Sequence, residues 1–415
     1  MSAEVILMNK NGIAIAADSA VTIGNKTKIY NTADKMFMLS KYAPVGILIY
    51  NSASIMGIQL EIIIKQYRRK LGEKTFQTLK EYCDDFMSYC IEFANNYSGE
   101  KIELEIINNQ ILNKCDEIFR IVLSMANKEV GKNSFKNDNE LMEFINIKII
   151  EIVDRTNVEI NDEVMDDLYY NNILSKLDTS NIIDFCSESY KINLKEETKK
   201  KIMLKLNDII RNKKYWDRSN FTGIAITGYG DNEIFPVCIQ IETLGIINNK
   251  VLKLNENSFQ ITHEQNSQII PLAQTDVMDE FFLGINNEIN QIYVKKFKNG
   301  IASEKDESVK NKIIQLNTSI EEEKNKLVKD RLMNIHRSLS FLPRDEMIYM
   351  AEGMINLTSF KRRLVLDNFS ETVGGPIDIA FISKGEGFIW IKRKKYFDKE
   401  MNYVFTENYF NKKGE

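Results

Sequence analysis

The segment from residue 1 to residue 18 reads MSAEVILMNKNGIAIAAD, and the fold of the chain is best worked out from it. Two short apolar runs, 3–8 and 12–18, flank Asn11-Gly12, a dipeptide that favours a tight β-hairpin turn. The second run ends on Asp18, and another apolar run begins after Asp34-Lys35. The pattern predicts four strands, over residues 3–8, 12–18, 35–39 and 45–51.

Three residues of this segment carry chemistry. Asp18 and Lys35 stand at the ends of neighbouring predicted strands, where both would converge on the start of the chain. Removal of Met1 would make Ser2 the terminal residue at the edge of a sheet. A hydroxyl beside a free amine, with a lysine and a carboxylate close by, is the set of groups that an N-terminal nucleophile uses. The plainer interpretation is an ordinary Asp18–Lys35 ion pair behind a common Met-Ser start.

The remainder of the chain alternates helical and strand patterns. Residues 51–54 are expected to cap a helix, a second helix should start near Thr75, and helix dominates 100–217. Strands resume on both sides of Gly228–Asp231, which reads as a hairpin turn because no phosphate-binding Gly-Lys-Ser follows. The basic run Lys392–Lys395 reads as a solvated strand end. The predicted division is 2–99, 218–254 and 343–395 for a core, 100–217 and 255–342 for two helical insertions, and 396–415 for a tail.

Composition excludes several classes of protein. The net charge of −4 gives no global case for nucleic-acid binding. No apolar run of about 18 residues and no signal peptide are evident, so a cytoplasmic protein without a membrane partner is expected. The five cysteines show no C-x-x-C spacing, and the only histidines are His263 and His336. No metal and no cofactor are therefore expected, and a Ser-His-Asp triad is disfavoured.

The order of the predicted elements resembles that of proteasome β-subunit-type N-terminal nucleophile (Ntn) hydrolases. The matching residues are Gly12–Asp18, Thr22, Asp34–Phe37 and Gly374–Asp378. The family nucleophile precedes the motif aspartate by sixteen positions, which leads from Asp18 back to Ser2. The resemblance covers roughly 2–95, 221–242 and 343–392. It implies an α+β fold, a four-layer αββα sandwich of two antiparallel sheets that carries helical insertions.

The resemblance also implies roles for the site residues. Ser2, exposed by removal of Met1, would be the nucleophile, with its own α-amino group as the general base. An α-amino pKa of about 7.7–8.0 leaves a useful neutral fraction near pH 7. Lys35 would add positive charge beside that amine, and Asp18 would aim Lys35. Asn51 would supply a backbone N–H to the oxyanion, and Thr22 would contact the substrate.

The chain departs from the family pattern at two places. Tyr50-Asn51-Ser52 stands where the family has an Ala-Gly pair, and Ser370, Glu371 and Thr372 replace an Asp-x-x-Ser. The expected function is a proteasome-type amide-bond hydrolase, a peptidase acting on a peptide or protein. Two alternatives stay open. One is a small-molecule acylase of the Ntn class. The other is an inactive scaffold that binds partners through its helical insertions.

The resemblance further implies a homo-oligomer, and no ATPase partner can be read from the sequence. A long exposed helix is predicted around 305–335, with an apolar line among many charged residues. That line would either pair with another chain or pack on its own domain. Its members are Ile313, Leu316, Ile320 and Leu327.

Overall fold

The protein is described by a computed structural model. The structure describes residues 3–23, 28–30, 32–131, 135–156, 164–364, 373–394 and 400–403, with backbone alone at 22–23, 28–29 and 287. The strands are β1 (Ala3–Asn9), β2 (Gly12–Ala17), β3 (Val21–Ile23), β4 (Lys28–Tyr30), β5 (Met36–Met38), β6 (Val45–Asn51), β7 (Ser54–Ile55), β8 (Ile58–Gln59), β9 (Thr222–Gly228), β10 (Val237–Ile247), β11 (Lys250–Gln260), β12 (Ser267–Ala273), β13 (Asp378–Ser383) and β14 (Gly387–Lys392). The helices are α1 (Leu60–Leu71), α2 (Leu79–Tyr97), α3 (Gly99–Val130), α4 (Asp138–Arg155), α5 (Asp167–Leu174), α6 (Thr179–Ser189), α7 (Glu196–Ile209), α8 (Asp276–Leu283), α9 (Asn287–Ser303), α10 (Glu307–Phe341) and α11 (Arg344–Leu364).

The first sheet is built on the hairpin that Asn11-Gly12 predicts. In the β1–β2 pair, Asn9 lies opposite Gly12. The turn residues are therefore Lys10 and Asn11, one position before the predicted pair, and Gly12 is the first residue of β2. Gly12 has φ 154°, and a Cβ there would lie 2.6 Å from the ring of Phe381 on β13, so this position requires glycine. β13 pairs with β2 and β12 with β1, which gives the antiparallel order β12-β1-β2-β13-β14.

The second sheet has the antiparallel order β11-β10-β9-β6-β5. Its central strand, β9, pairs with β6 on one side and β10 on the other. Gly228 ends β9, and a Cβ there would lie 2.1 Å from the carbonyl oxygen of Pro44. Glycine is therefore required at position 228 because the backbone of Pro44 passes close to the end of β9. This agrees with the predicted turn after this strand.

The two sheets face each other, and helices cover both outer faces. The inner layer between them includes Ile6, Met8, Ile13, Ile15, Leu48 and Ala225. Helices α1 and α2 pack on the outer face of the second sheet, and α8, α10 and α11 pack on that of the first. β2 is apolar throughout and β1 is apolar apart from Glu4 and Asn9, because both faces of these strands are buried. The predicted α+β fold, a four-layer αββα sandwich of two antiparallel sheets, is confirmed.

Helices α3 to α7 pack around a separate apolar core. Its members include Ile107, Ile111, Phe119, Ile149, Ile202 and Trp216. This core also takes in Ile247 of β10 and Leu252 of β11, so the helices rest on the far end of that hairpin. The helical segment follows α2 of the core, and residues 210–221 connect its last helix to β9.

The segment after β6 differs from the prediction. No helix is capped by residues 51–54. Instead β7 and β8 form a small hairpin, in which Met56 and Gly57 have φ 52° and 73°, and α1 starts only at Leu60. A two-residue turn with both φ values positive matches strand twist and so favours a hairpin over a helix start.

Residues 255–342, predicted to be helical, also contain strand. β11 runs to Gln260, and β12 adds an edge strand to the first sheet. Pro271 within β12 obscures the strand pattern, yet an edge strand tolerates proline because one of its sides lacks a pairing partner. Helix begins only with α8 at Asp276.

Candidate active site

The site is centred on Asp18, which directly follows β2 and is 2% exposed. Its Oδ1 accepts hydrogen bonds from the backbone N–H of Ala3 at 3.0 Å and from Nζ of Lys35 at 2.5 Å. Its Oδ2 accepts from the N–H groups of Gly374 at 2.9 Å and Ala20 at 3.2 Å. One carboxylate thus ties the start of β1, the segment before β5 and the turn before β13 to a single point.

Lys35 reaches this point from the second sheet. Its backbone carbonyl accepts a hydrogen bond from the N–H of Ile49 at 2.8 Å, which holds it beside β6. The side chain crosses to the first sheet and is almost fully buried against Asp18. The structure therefore brings together the two residues that the sequence places at neighbouring strand ends.

A third charged group, Glu4, was missed by the sequence analysis. Its Oε1 lies 3.6 Å from Nζ of Lys35, and its side chain is fully buried. Glu4 lies opposite Ala17 in the β1–β2 register, so its side chain shares the inner face with that of Ile6. The signal was present: Glu4 is the one charged residue of β1, whose other positions are apolar except Asn9.

A second buried ion cluster lies next to the first. Nζ of Lys394 lies 2.8 Å from Asp34 and 2.6 Å from Asp378, and it donates to the carbonyl of Ala33 at 2.9 Å. The side chain of Lys394 is 7% exposed, so the prediction of a solvated strand end is wrong for this member of the basic run. Because Asp34 precedes Lys35, the cluster fixes the segment that delivers Lys35 to Asp18.

The Gly-Gly-Pro turn before β13 is fastened to the residues around Asp18. The N–H of Ser19 donates to the carbonyl of Gly374 at 3.2 Å, and Oγ of Ser19 donates to the carbonyl of Pro376 at 2.6 Å. The match of this turn to the family motif therefore coincides with direct contact to the site. Ser370, Glu371 and Thr372 lie outside the described residues.

The other predicted site residues are placed less completely. Asn51 ends β6 with φ 63°, and its side-chain amide donates to the carbonyls of Phe221 at 2.7 Å and Ser219 at 3.4 Å. That amide is occupied by the protein's own backbone. Thr22 lies in β3, opposite Ile29 of β4, and its side chain is outside the described part of the chain.

Ser2 lies outside the described residues. Its neighbour Ala3 is held from both sides, since its N–H donates to Asp18 and its carbonyl accepts from the N–H of Asp18 at 3.1 Å. The chain is therefore fixed to the Asp18–Lys35 pair from its third residue onward.

Two of the thiols, those of Cys83 and Cys238, are poor candidates for a nucleophile. All five cysteines are free and buried. Burial raises the pKa of Cys83 to about 12, and burial likewise raises that of Cys238 to about 12, so the reactive thiolate is scarce at neutral pH. Neither residue lies among the groups around Asp18.

The described ranges contain neither a metal-binding cluster nor a membrane-spanning helix. There, no group of three or more His, Cys, Asp or Glu side chains is arranged to hold a metal ion. No helix in the same ranges is long and apolar enough to cross a bilayer.

Comparison with known proteins gives structural neighbours only. No protein-family model and no curated protein matches the chain. Among solved structures, Anbu (ancestral beta-subunit) from Yersinia bercovieri aligns over 99% of this chain and 95% of its own, at 9% identity and a TM-score of 0.30. Anbu from Hyphomicrobium sp. strain MC1 aligns over 100% and 99%, at 8% identity and a TM-score of 0.28. A helical assembly of the Anbu complex from Pseudomonas aeruginosa aligns over 98% and 94%, at 7% identity and a TM-score of 0.29. At these TM-scores the fold assignment follows from the sheets and helices themselves.

Proposed function

We propose that the chain is an N-terminal nucleophile hydrolase of amide bonds, a peptidase, in which removal of Met1 exposes Ser2. The observation that supports this most is the sharing of Asp18 Oδ1 between the N–H of Ala3 and Nζ of Lys35. Because these distances are 3.0 Å and 2.5 Å, Nζ lies no further than 5.5 Å from the nitrogen that joins Ala3 to Ser2. The ammonium group of a buried lysine thus lies beside the backbone of Ala3, the residue that follows the proposed nucleophile.

In the proposed reaction, Oγ of Ser2 attacks the carbonyl carbon of the substrate amide. The α-amino group of Ser2 takes the hydroxyl proton and passes it to the leaving amine as the C–N bond breaks. The product is an ester between Ser2 and the acyl part of the substrate. Water then attacks this ester, with the same amine as base, which releases the acid and regenerates the hydroxyl.

Lys35 supplies positive charge next to the developing negative charge. A cation that is already in place needs no reorganisation as the transition state forms, and its effect is larger in a buried site than in water. Asp18 and Glu4 orient its ammonium group. A backbone N–H at Asn51 remains the proposed oxyanion donor, and Thr22 the proposed substrate contact.

We also propose that the chain acts as a homo-oligomer in the cytoplasm, with a peptide or protein as substrate. Five free cysteines are consistent with a reducing compartment. Hydrolysis of casein would support a protein substrate, whereas turnover of small acyl amides alone would favour the acylase alternative.

The test of the proposal combines intact mass with turnover. The mass of the purified protein should lack Met1, and hydrolysis of a fluorogenic peptide panel should disappear in Ser2→Ala and Lys35→Met. Lys65→Met is the matched control, because Lys65 pairs with Glu61 on the exposed face of α1 and should leave turnover unchanged. Retention of Met1, or full activity in Ser2→Ala, would refute the proposal. Folded protein that lacks Met1 and cleaves nothing would favour the scaffold alternative.

A further inference from the structure

The antiparallel helices α9 and α10 form an arm that carries little of the core. Among the 35 residues of α10, all of them described, only Leu339 is buried, and it packs near the C-terminal end on the first sheet. Nζ of Lys324 donates to Asn290 of α9 at 3.2 Å, which holds the two helices side by side. The N-terminal half of α10 therefore contacts mainly α9.

An apolar stripe runs along this part of the arm. It consists of Val309, Ile313, Leu316, Ile320 and Leu327, and the steps of four, three, four and seven residues are those of a heptad. Leu316 is 58% exposed and Leu327 is 71% exposed, whereas Ile313 is half-buried, so the arm itself leaves most of the stripe uncovered. Ile289 and Ile292 of α9, on either side of the Asn290 contact, are exposed as well.

The charges along the stripe favour antiparallel over parallel pairing with an identical stripe. Glu323 occupies the heptad position between Ile320 and Leu327, and Lys312 stands next to Ile313. Parallel pairing of two such stripes would place Glu323 against Glu323, which is repulsive. Antiparallel pairing about residue 318 instead sets each Glu323 opposite Ile313 of the other stripe, with the neighbouring Lys312 beside it.

The same antiparallel register pairs four of the five apolar side chains with one another. It sets Leu316 opposite Ile320 and Val309 opposite Leu327, each pair occurring twice because of the two-fold axis. The stripe spans 19 residues, a rise of about 27 Å, and the two-helix arm is about 18 Å wide, which gives about 500 Å² per copy. A total of about 1,000 Å² is at the lower limit for a specific interface.

We propose that the apolar stripe of α10 pairs antiparallel with the same stripe of a second copy of this chain, so that two arms close into a four-helix bundle. This inference rests on the homo-oligomer part of the proposed function and specifies its interface. It does not depend on the chemistry of Ser2.

Sedimentation of the full chain over a range of concentrations tests the pairing. Leu316→Glu and Leu327→Glu place a carboxylate in the interface twice per dimer and should each raise the Kd about thirtyfold or more. Met333→Glu is the control: Met333 is 53% exposed on the same helix but off the heptad spacing, and its Kd should match that of the wild type.

A charge exchange tests the antiparallel register, with substitutions that are mild on the surface of a helix. Lys312→Glu and Glu323→Lys should each raise the Kd about three- to tenfold, and the double variant should restore it, since it re-forms both ion pairs with reversed sign. A double variant weaker than either single one would overturn the register.

Two further outcomes distinguish the proposed interface from the existence of a homo-oligomer. An oligomer indifferent to Leu316→Glu and Leu327→Glu would overturn the interface and leave the homo-oligomer standing. A wild-type monomer at tens of micromolar would overturn both. Neither result bears on whether Ser2 is the nucleophile, which is measured by covalent labelling.

Discussion

Replacing Asp18 by Asn tests whether one carboxylate holds the site together. The change keeps the size of the side chain but replaces one oxygen with an NH2 group. With the nitrogen at the Oδ1 position, Ala3 and Lys35 lose their acceptor; with it at Oδ2, Gly374 and Ala20 lose theirs. Two buried donors are left without their acceptor in either orientation.

The size of the effect follows from the burial of the pair. Removing one member of a buried ion pair costs about 3–5 kcal/mol of folding free energy. Since Glu4 remains 3.6 Å from Lys35 and offsets part of its charge, we expect the lower end, about 3 kcal/mol. With an m value of about 3 kcal/mol per M of urea, the unfolding midpoint should fall by about 1 M.

The assay is urea unfolding followed by circular dichroism, with Glu61→Gln as the matched control. Glu61 makes an exposed i,i+4 pair with Lys65 on α1, so the same carboxylate-to-amide change should cost under about 0.5 kcal/mol there. If Asp18→Asn and Glu61→Gln unfold at the same urea concentration, the carboxylate does not have the structural role assigned to it.

Three further predictions concern Lys394, Gly12 and Cys83. Lys394→Met removes the cation from the buried Asp378 and the partly buried Asp34, and it should cost about 3–5 kcal/mol of folding free energy in urea unfolding. The half-exposed Lys392→Met should cost under about 1 kcal/mol, and equal costs would contradict the role assigned to Lys394. Gly12→Ala forces a Cβ to 2.6 Å from the ring of Phe381 and should lower the melting temperature. The control, Gly353→Ala, lies in open space on α11 and should raise the free energy of unfolding by about 0.5–1 kcal/mol. An unchanged melting temperature in Gly12→Ala would contradict the close contact at this position. Burial raises the pKa of Cys83 to about 12, so this thiol should be alkylated far more slowly in the native protein at pH 8 than in the unfolded protein. Equal alkylation rates of Cys83 in the two states would show that the thiol is accessible.

The parts of the fold that sequence predicts well are those specified locally. The β1–β2 hairpin follows from Asn11-Gly12 between apolar runs, and the convergence of Asp18 and Lys35 follows from their positions at strand ends. Local turn chemistry determines the hairpin, whereas the contact of Asp18 with Lys35 also depends on the packing of the second sheet against the first. Only the hairpin is independent of which distant segment lies alongside.

The parts that sequence misses depend on distant partners. β12 becomes a strand because the edge of β1 is available to it, although Pro271 weakens its local pattern. Lys394 is one of four consecutive basic residues, and only the fold reveals that Asp34 and Asp378 surround it. Glu4 carried a readable signal, a charge in an otherwise apolar strand, yet its partner is 31 residues away along the chain.

The central claim is that Ser2 is the nucleophile and that the Asp18–Lys35 pair activates it. The most direct measurement is covalent labelling with a β-lactone probe, followed by intact mass and peptide mapping. We expect one adduct per chain on Ser2 in wild-type protein that lacks Met1, and none in Ser2→Ala or Lys35→Met, both of which should remain folded. An adduct that persists in Ser2→Ala, or wild-type protein that stays unlabelled after Met1 is removed, would contradict the claim.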